Sequence, residues 1–495
     1  MKAKKLICVL LLATMLLGAL ASCNNNTTSP SDTTSDIGDQ ITGEIGGDNF
    51  AVPESLDYDG YEFLALLTGN YRNNDFEIED ASADVVEEAK YKKNMFTEDY
   101  LDIIINYEDV MYFGSTGGSG PGYQKFNESF SAGSYDYDIG MIGAYDCATL
   151  AYSNLLFDLN ELPNLNLENS WWDQNARQDL SVQGRLFFTS GDIGLTYKMV
   201  TNCILFNKEM IRENPSLKNP YELVENDNWT YDTFGQEIKK VSVDENGNGT
   251  YDSEDTFGLL AWNDPVLSMI TASGEKVISA NNDGELEFTL YTERADQALR
   301  KYCEILFDSQ HAFNYQYGTS SAQWDPTRYA MFDEGRALYY LTCFCTIEDH
   351  RNMKTDFGVL PFPKFDENQD RYYHTDTPFH TQYACAPILI EEEERTGAIL
   401  ETLAYYSKQY LTPAYYEKTL VGTYFRDDES AEMLDLIFST YCYDLGVYYN
   451  VASINNRLVA MLDTRQYTFA SICAGINKTA KEQIKEINEN FASFE

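Results

Sequence analysis

Between residues 244 and 255 the sequence reads Asp-Glu-Asn-Gly-Asn-Gly-Thr-Tyr-Asp-Ser-Glu-Asp. Asp244, Asn246, Asn248, Asp252 and Asp255 put oxygen side chains at the first, third, fifth, ninth and twelfth places of a twelve-residue loop. Thr250 stands at the seventh place and Gly249 at the sixth. Calcium is held by several hard oxygens, and a glycine at the sixth place allows the turn that converges them. The spacing predicts a structural calcium site just after a helix expected over 231–241. The bland alternative is an acidic turn that binds nothing.

A second chemistry is written in aromatics and carboxylates. Sugars present apolar C–H faces ringed by hydroxyls, so their sites combine aromatic platforms with carboxylates and amides. With 37 Tyr, 27 Phe and 5 Trp, composition alone singles out none of them. Position does, because ligand sites in open α/β sheets gather at the carboxyl ends of strands. Asn70 and Tyr71 follow an expected strand at 61–67, and Tyr145 and Asp146 follow one ending at Ile142. Trp262 and Asp264 follow a third strand at 258–261. Trp324 lies in a loop flanked by Gly and Ser. For catalysis there is no comparable signal: paired carboxylates are unavoidable among 79 acids, and GxSxG, HExxH, P-loop and GxGxxG patterns are absent. No catalytic residue is expected.

At the start of the chain, Lys2, Lys4 and Lys5 precede a nearly unbroken apolar run over 6–19. That run is too short for a comfortable membrane span and reads as an export signal. It ends in Leu20-Ala21-Ser22-Cys23, small residues followed directly by cysteine, which resembles the lipobox of bacterial lipoproteins. The resemblance implies a signal peptide over 1–22, cleavage before Cys23, and a diacylglycerol on the Cys23 thiol. It places the protein on the outer face of the bacterial cytoplasmic membrane, bound through its lipid. Residues 23–50, rich in Asn, Thr, Ser, Asp and Gly, have almost nothing to bury and read as a disordered tether of about 90 Å if fully extended.

Composition limits the partners. A formal charge of −44 repels phosphate backbones, so nucleic-acid binding is excluded as a class. The length suits two lobes of ordinary domain size, and a monomer is expected. Leaving aside Cys8 and Cys23, eight cysteines remain, without a CxxC pair, and buried free thiols are the default.

Strands and helices alternate along the chain. Strands are expected at 61–67, 103–105 and 137–142, then at 185–189, 201–206, 258–261 and 357–360. Helices are expected around 85–96, with Ser82 as cap, at 124–131, at 231–241 capped by Thr230 with Trp229 as a staple, and at 292–306. Further helices fill 392–410, 414–420, 431–438 and 470–488. This alternation is α/β with largely parallel sheets.

Several segments resemble, in sequence order, the family 1 extracellular solute-binding proteins, the sugar-capturing lipoproteins of ABC importers. They are Leu205-Phe206-Asn207-Lys208-Glu209, Asn228-Trp229-Thr230-Tyr231-Asp232-Thr233-Phe234, Phe332 to Leu338 with its Gly335-Arg336-Ala337, and Phe357-Gly358-Val359-Leu360-Pro361-Phe362-Pro363. The resemblance implies a two-lobed, periplasmic-binding-protein-like type II fold with a hinge and an inter-lobe cleft. It divides the chain into lobe 1 at 51–200 plus 384–440 and lobe 2 at 201–383 plus 441–495. It also puts Phe344 where the family often has a stacking tryptophan. The calcium loop, with Asp255 in place of a bidentate Glu, resembles that of dockerins. The implied function is non-enzymatic: capture of a sugar or oligosaccharide and delivery to an ABC permease. Alternative readings are a binder of peptides or other polar solutes, a surface glycan-binding lipoprotein, and a secreted glycoside hydrolase.

Overall fold

The computed structural model describes residues 48–69, 74–77, 84–110, 118–316, 327–425 and 427–494. Cys23, Asn70, Tyr71, Ser82 and Trp324 lie outside them. Two five-stranded sheets organise the chain. The first is ordered β2-β1-β3-β12-β4, from β1 (Tyr61–Thr68), β2 (Ile103–Val110), β3 (Ile139–Gly143), β4 (Phe188–Thr189) and β12 (Gln382–Cys385). Strands β1, β2 and β3 run parallel, as their helical crossovers require, while β12 lies antiparallel against β3 and β4. The second is ordered β11-β5-β10-β6-β9, from β5 (Asn202–Asn207), β6 (Phe257–Ala261), β9 (Ala312–Asn314), β10 (Ala337–Cys343) and β11 (Phe357–Leu360). A small hairpin of β7 (Ile278–Ala280) and β8 (Leu286–Phe288) stands apart.

The apolar runs that predicted strands are buried on both faces, as strands between helical layers must be. Every residue of β3, β5, β6 and β10 is buried. The edge strand β2 is half exposed, and its outward residues are Ile104, Asn106, Tyr107 and Asp109. Caps were partly legible. Thr230 accepts the Thr233 amide at the start of helix Tyr231–Ile238, and Thr292 accepts the Ala295 amide before Glu293–Leu306. At helix Val85–Leu101 the cap is Asp84, which takes the Val86 and Glu87 amides. Asp84 sits next to the first turn, within reach of those amides. Trp229 is fully buried and donates its indole N–H to the Pro361 carbonyl at 2.8 Å.

Two departures concern the ends of elements. Helix Glu393–Tyr406 runs into π-helical segments at Ser407–Leu411 and Ala414–Tyr424, where ordinary helix was expected. Pro413 lacks an amide hydrogen for the regular ladder, which is consistent with a changed register there. At the other end the chain is packed from Asp48 onward. Asn49 and Asn169 exchange two hydrogen bonds at 2.9 and 3.1 Å, and Phe50 stacks on Tyr405 at 4.1 Å with Trp171 and Tyr100 edge-on. One aromatic side chain thus ends what composition reads as tether.

Helix Glu393–Tyr406 crosses the 163 region closely at Gly397, where a Cβ would be driven into the Pro163 carbonyl oxygen. Gly397→Ala gains about 1 kcal/mol of helix propensity, yet the clash outweighs it. Urea unfolding should show a net loss of about 1–3 kcal/mol, whereas a stabilised variant would mean the contact is not formed.

Candidate functional site

Three neighbouring segments carry the chain past the junction between the sheets. Thr201 bridges Asp376, and His374 bridges Tyr441. Backbone bonds from Asn202 to Thr375 (3.1 Å), Thr377 to Val200 (3.1 Å) and Cys442 to His374 (2.8 Å) complete the ribbon. Buried Asp376 accepts the Tyr383 hydroxyl at 2.8 Å, and the Tyr448 hydroxyl lies 2.7 Å from that of Tyr383. Burial raises the Asp376 carboxyl above the usual range, against the pull of these hydroxyls. His374 is pushed down to about 3 by burial and stays neutral, its Nδ1 2.8 Å from Thr440 Oγ1.

The first sheet presents Tyr145 where β3 turns into helix Ala144–Tyr152. The side chain is 2% exposed, lies edge-on to Phe379 at 5.5 Å, and its hydroxyl has no hydrogen-bond partner among the described residues. Burial raises the Tyr145 phenol, and nearby Asp376 and Asp264 add to the rise. Asp264, which follows a strand of the second sheet, is thus an electrostatic neighbour of Tyr145. The next residue, Asp146, faces elsewhere. Its carboxylate accepts the amides of Gly120 (2.8 Å) and Tyr123 (3.3 Å) and so caps helix Pro121–Ala132. Burial raises its carboxyl while those amides oppose the shift.

From the second sheet, Trp262 follows β6 and stacks on Tyr315 at 6.4 Å. It is 8% exposed, and its indole N–H also has no partner among the described residues. Asp264 receives Gln316 Nε2 at 3.4 Å. Asn263, between them, is fully committed: it accepts from Asn314 at 2.6 Å and donates to Asp463 at 2.7 Å. Phe344 is buried against Phe438, with ring centres 5.2 Å apart, so it is packing and not an open platform.

A polar crevice of about 440 Å³ lies elsewhere, and neither Tyr145, Trp262 nor Asp264 lines it. It is lined by Gly118 and Thr149, by Asn450, Ser453 and Arg457, and by Thr479 and Gln483 of helix Phe469–Ala492. Gly118 has φ +55°, and a Cβ there would meet the Thr149 side chain and the Tyr145 carbonyl oxygen. Nothing in the sequence pointed to residues 448–457 on this crevice. Their segment bends through left-handed Asn450, Ala452 and Ser453 (φ 47°, 48° and 54°), and only Asn among them advertises that geometry.

The loop 244–255 closes on itself between Val243 and Thr256, which bridge each other. Asp244 accepts the amides of Gly247 (2.7 Å), Asn248 (3.2 Å) and Gly249 (2.8 Å). Asn246 takes the Asn248 amide (3.0 Å), Asn248 the Thr250 amide (2.6 Å), and Asp252 the Glu254 amide (2.9 Å). Fully buried Asp255 takes the amides of Glu245 (2.9 Å) and Asp252 (2.8 Å). Among the described residues no group of three or more His, Cys, Asp or Glu side chains is placed to hold a metal ion.

Solved structures with the same arrangement are numerous, although no family model and no curated protein matches the chain. A cyclo/maltodextrin-binding protein complexed with maltotetraose aligns with a TM-score of 0.55 at 13% identity, covering 88% of this chain and 98% of that one. The ABC transporter associated binding protein of B. animalis subsp. lactis Bl-04, complexed with beta-1,6-galactobiose, gives 0.54 at 12%, over 87% and 98%. An ABC substrate-binding protein of Listeria monocytogenes, complexed with cycloalternan, gives 0.53 at 11%, over 88% and 100%. This is the two-lobed solute-binding-protein fold. In that fold the two sheets described above correspond to the two lobes. Among the described residues no helix is long and apolar enough to cross a membrane.

Beyond β1, the segment 74–77 is held by a buried lysine. Lys93 is fully buried, donates to the Asp75 carbonyl at 2.7 Å, and lies 4.3 Å from the Phe76 ring centre. Desolvation lowers its ammonium from 10.5 to about 8, opposed by Asp75. Above about pH 8 the folded protein sheds this proton while the unfolded chain keeps it, so the group adds stability as pH rises. Between pH 8 and 9.5 the wild type should gain about 2 kcal/mol relative to Lys93→Met. Parallel stability curves for the two proteins in urea would contradict that burial.

Proposed function

We propose that this chain is the solute-capturing component of an ABC importer, anchored through lipid on Cys23, which closes its lobes on a sugar or oligosaccharide. The observation that carries the reading is a pair of buried aromatic donors: the Tyr145 hydroxyl from one lobe and the Trp262 indole N–H from the other. Neither has an acceptor among the described residues. An unpaired buried donor costs about 1–3 kcal/mol, and a polyhydroxylated ligand would supply the missing acceptors from both sides. Such contacts exist only when the lobes approach, which gives the ligand the differential affinity that closure needs. Trp262 and Tyr315 add aromatic surface, while Asp264 and its partner Gln316 add polar contacts. The saccharide-bound state of the structural neighbours supports a sugar as the solute. The ligand is bound and released unchanged, and the closed form is the one presented to the permease.

Titration calorimetry of residues 24–495 against neutral mono- and oligosaccharides, peptides and polyamines tests this reading. One saccharide should bind and be recovered intact. Trp262→Ala should weaken it at least tenfold, the scale of a lost stacking and hydrogen-bonding anchor. Product formation, or binding confined to peptides, would overturn the reading.

The 244–255 loop is proposed to take a structural calcium ion, on the order of its oxygen residues and the two glycines, Gly247 and Gly249, at positive φ. Chelator should lower the melting temperature of the wild type, and Asp244→Ala should abolish the difference. Identical melting of the wild type with calcium and with chelator would remove the site.

A further inference from the structure

The whole sequence contains two Asn-Gly bonds, Asn246-Gly247 and Asn248-Gly249, and both stand in the loop that closes between Val243 and Thr256. An asparagine followed by glycine can modify itself. The glycine nitrogen attacks Cγ of the asparagine side chain, and the new N–C bond closes a cyclic succinimide. The Cγ–Nδ2 bond breaks, ammonia leaves, and the proton of the glycine N–H passes to solvent. Water then opens the ring at either carbonyl to give aspartate or isoaspartate, with nothing oxidised or reduced. Glycine favours the attack because it has no Cβ to obstruct it. At Gly247 and Gly249 the surroundings are open as well, with nothing within 4 Å of the place a Cβ would take. Residues 246–250 are all exposed, so water for the second step is at hand.

The position of the nucleophile sets the rate, and a single carboxylate holds both nucleophiles. Asp244 Oδ1 accepts the Gly247 amide at 2.7 Å, and Asp244 Oδ2 accepts the Gly249 amide at 2.8 Å. A hydrogen bond to an ionised acceptor is strong and directional, so each nitrogen is kept on Asp244 and away from its asparagine. The electrophiles are restrained too. Asn246 Oδ1 accepts the Asn248 amide at 3.0 Å, and Asn248 Oδ1 accepts the Thr250 amide at 2.6 Å. The other aspartates of the loop are engaged elsewhere: Asp252 takes the Glu254 amide, and Asp255 takes those of Glu245 and Asp252.

We propose that Asn246 and Asn248 are sites of spontaneous deamidation and that Asp244 is the residue that restrains both. Each event puts a carboxylate where a neutral carboxamide stood, or reroutes the backbone through an isoaspartyl link. The restraint is local to the loop. It depends neither on the solute that is captured nor on calcium.

Peptide mass mapping of the 24–495 chain, aged in chelator at mildly alkaline pH, tests the proposal. In the wild type the loop peptide should convert amide to acid at least about tenfold more slowly when folded than when unfolded in guanidinium, the scale of a hydrogen bond to a charged group. Folded Asp244→Ala should lose most of that protection at both sites. Asp244→Asn, which keeps one side-chain oxygen as acceptor, should fall between them, and it provides the test if Asp244→Ala does not fold. Asp252→Ala, which removes a loop hydrogen bond that involves neither glycine, should stay close to the wild-type rate. Equal rates in the wild type and the Asp244 variants would overturn the proposal, as would a wild-type loop that reacts as fast folded as unfolded. Equal acceleration in Asp252→Ala would overturn it too, by showing that general loosening of the loop sets the rate.

Discussion

The architecture depends on one buried carboxylate. Asp376 sits in the middle hinge segment, bridged to Thr201 on one side, and the Tyr383 hydroxyl donates to it from β12 of the first sheet. Leaving such a charge without donors would cost several kcal/mol. The hydroxyls of Tyr383 and Tyr448 beside it are therefore a structural requirement, not an accident of a tyrosine-rich chain. The rings also pack on one another, with Tyr441 and Tyr443 4.7 Å apart and Tyr383 and Tyr448 5.5 Å apart. A hinge built this way is held by directional hydrogen bonds and flat rings, which permit small rotations without opening a void.

Tyr145 follows β3 and Trp262 follows β6, and Asp264, two residues beyond Trp262, acts electrostatically on the Tyr145 phenol. Residues next to them are spent on support: Asp146 caps a helix, and Asn263 ties Asn314 to Asp463. Tyr145 and Trp262 keep unpaired hydrogens while their neighbours support the scaffold.

Much of the fold was legible in the sequence because its strands are buried on both faces and read as apolar runs. Ile139–Gly143 and Asn202–Asn207 are found within a residue or two of expectation. Strand-end logic singled out Tyr145, Trp262 and Asp264 as candidates, and the Tyr145 hydroxyl and Trp262 indole N–H have no partner among the described residues. It did not separate Tyr145 from Asp146, because which neighbour turns inward is decided by the amides of Gly120 and Tyr123, distant in sequence. Phe344 was expected as a platform through family resemblance, and only its tertiary partner Phe438 reveals it as core. The hinge tyrosines carried no local pattern at all. Their spacing acquires meaning only when segments near 201, 376 and 441 lie side by side.

The central claim is that the two lobes close about this ribbon when a saccharide binds. Single-molecule energy transfer between dyes at positions 91 and 291 tests it most directly. Tyr91 and Tyr291 are exposed and belong to different lobes, and the native cysteines at 147, 203, 303, 343, 345, 385, 442 and 473 are buried. The account predicts a shift to a shorter, narrower distance distribution on adding a bound saccharide, with a second, open population in its absence. A single distribution that the ligand leaves unchanged would contradict it.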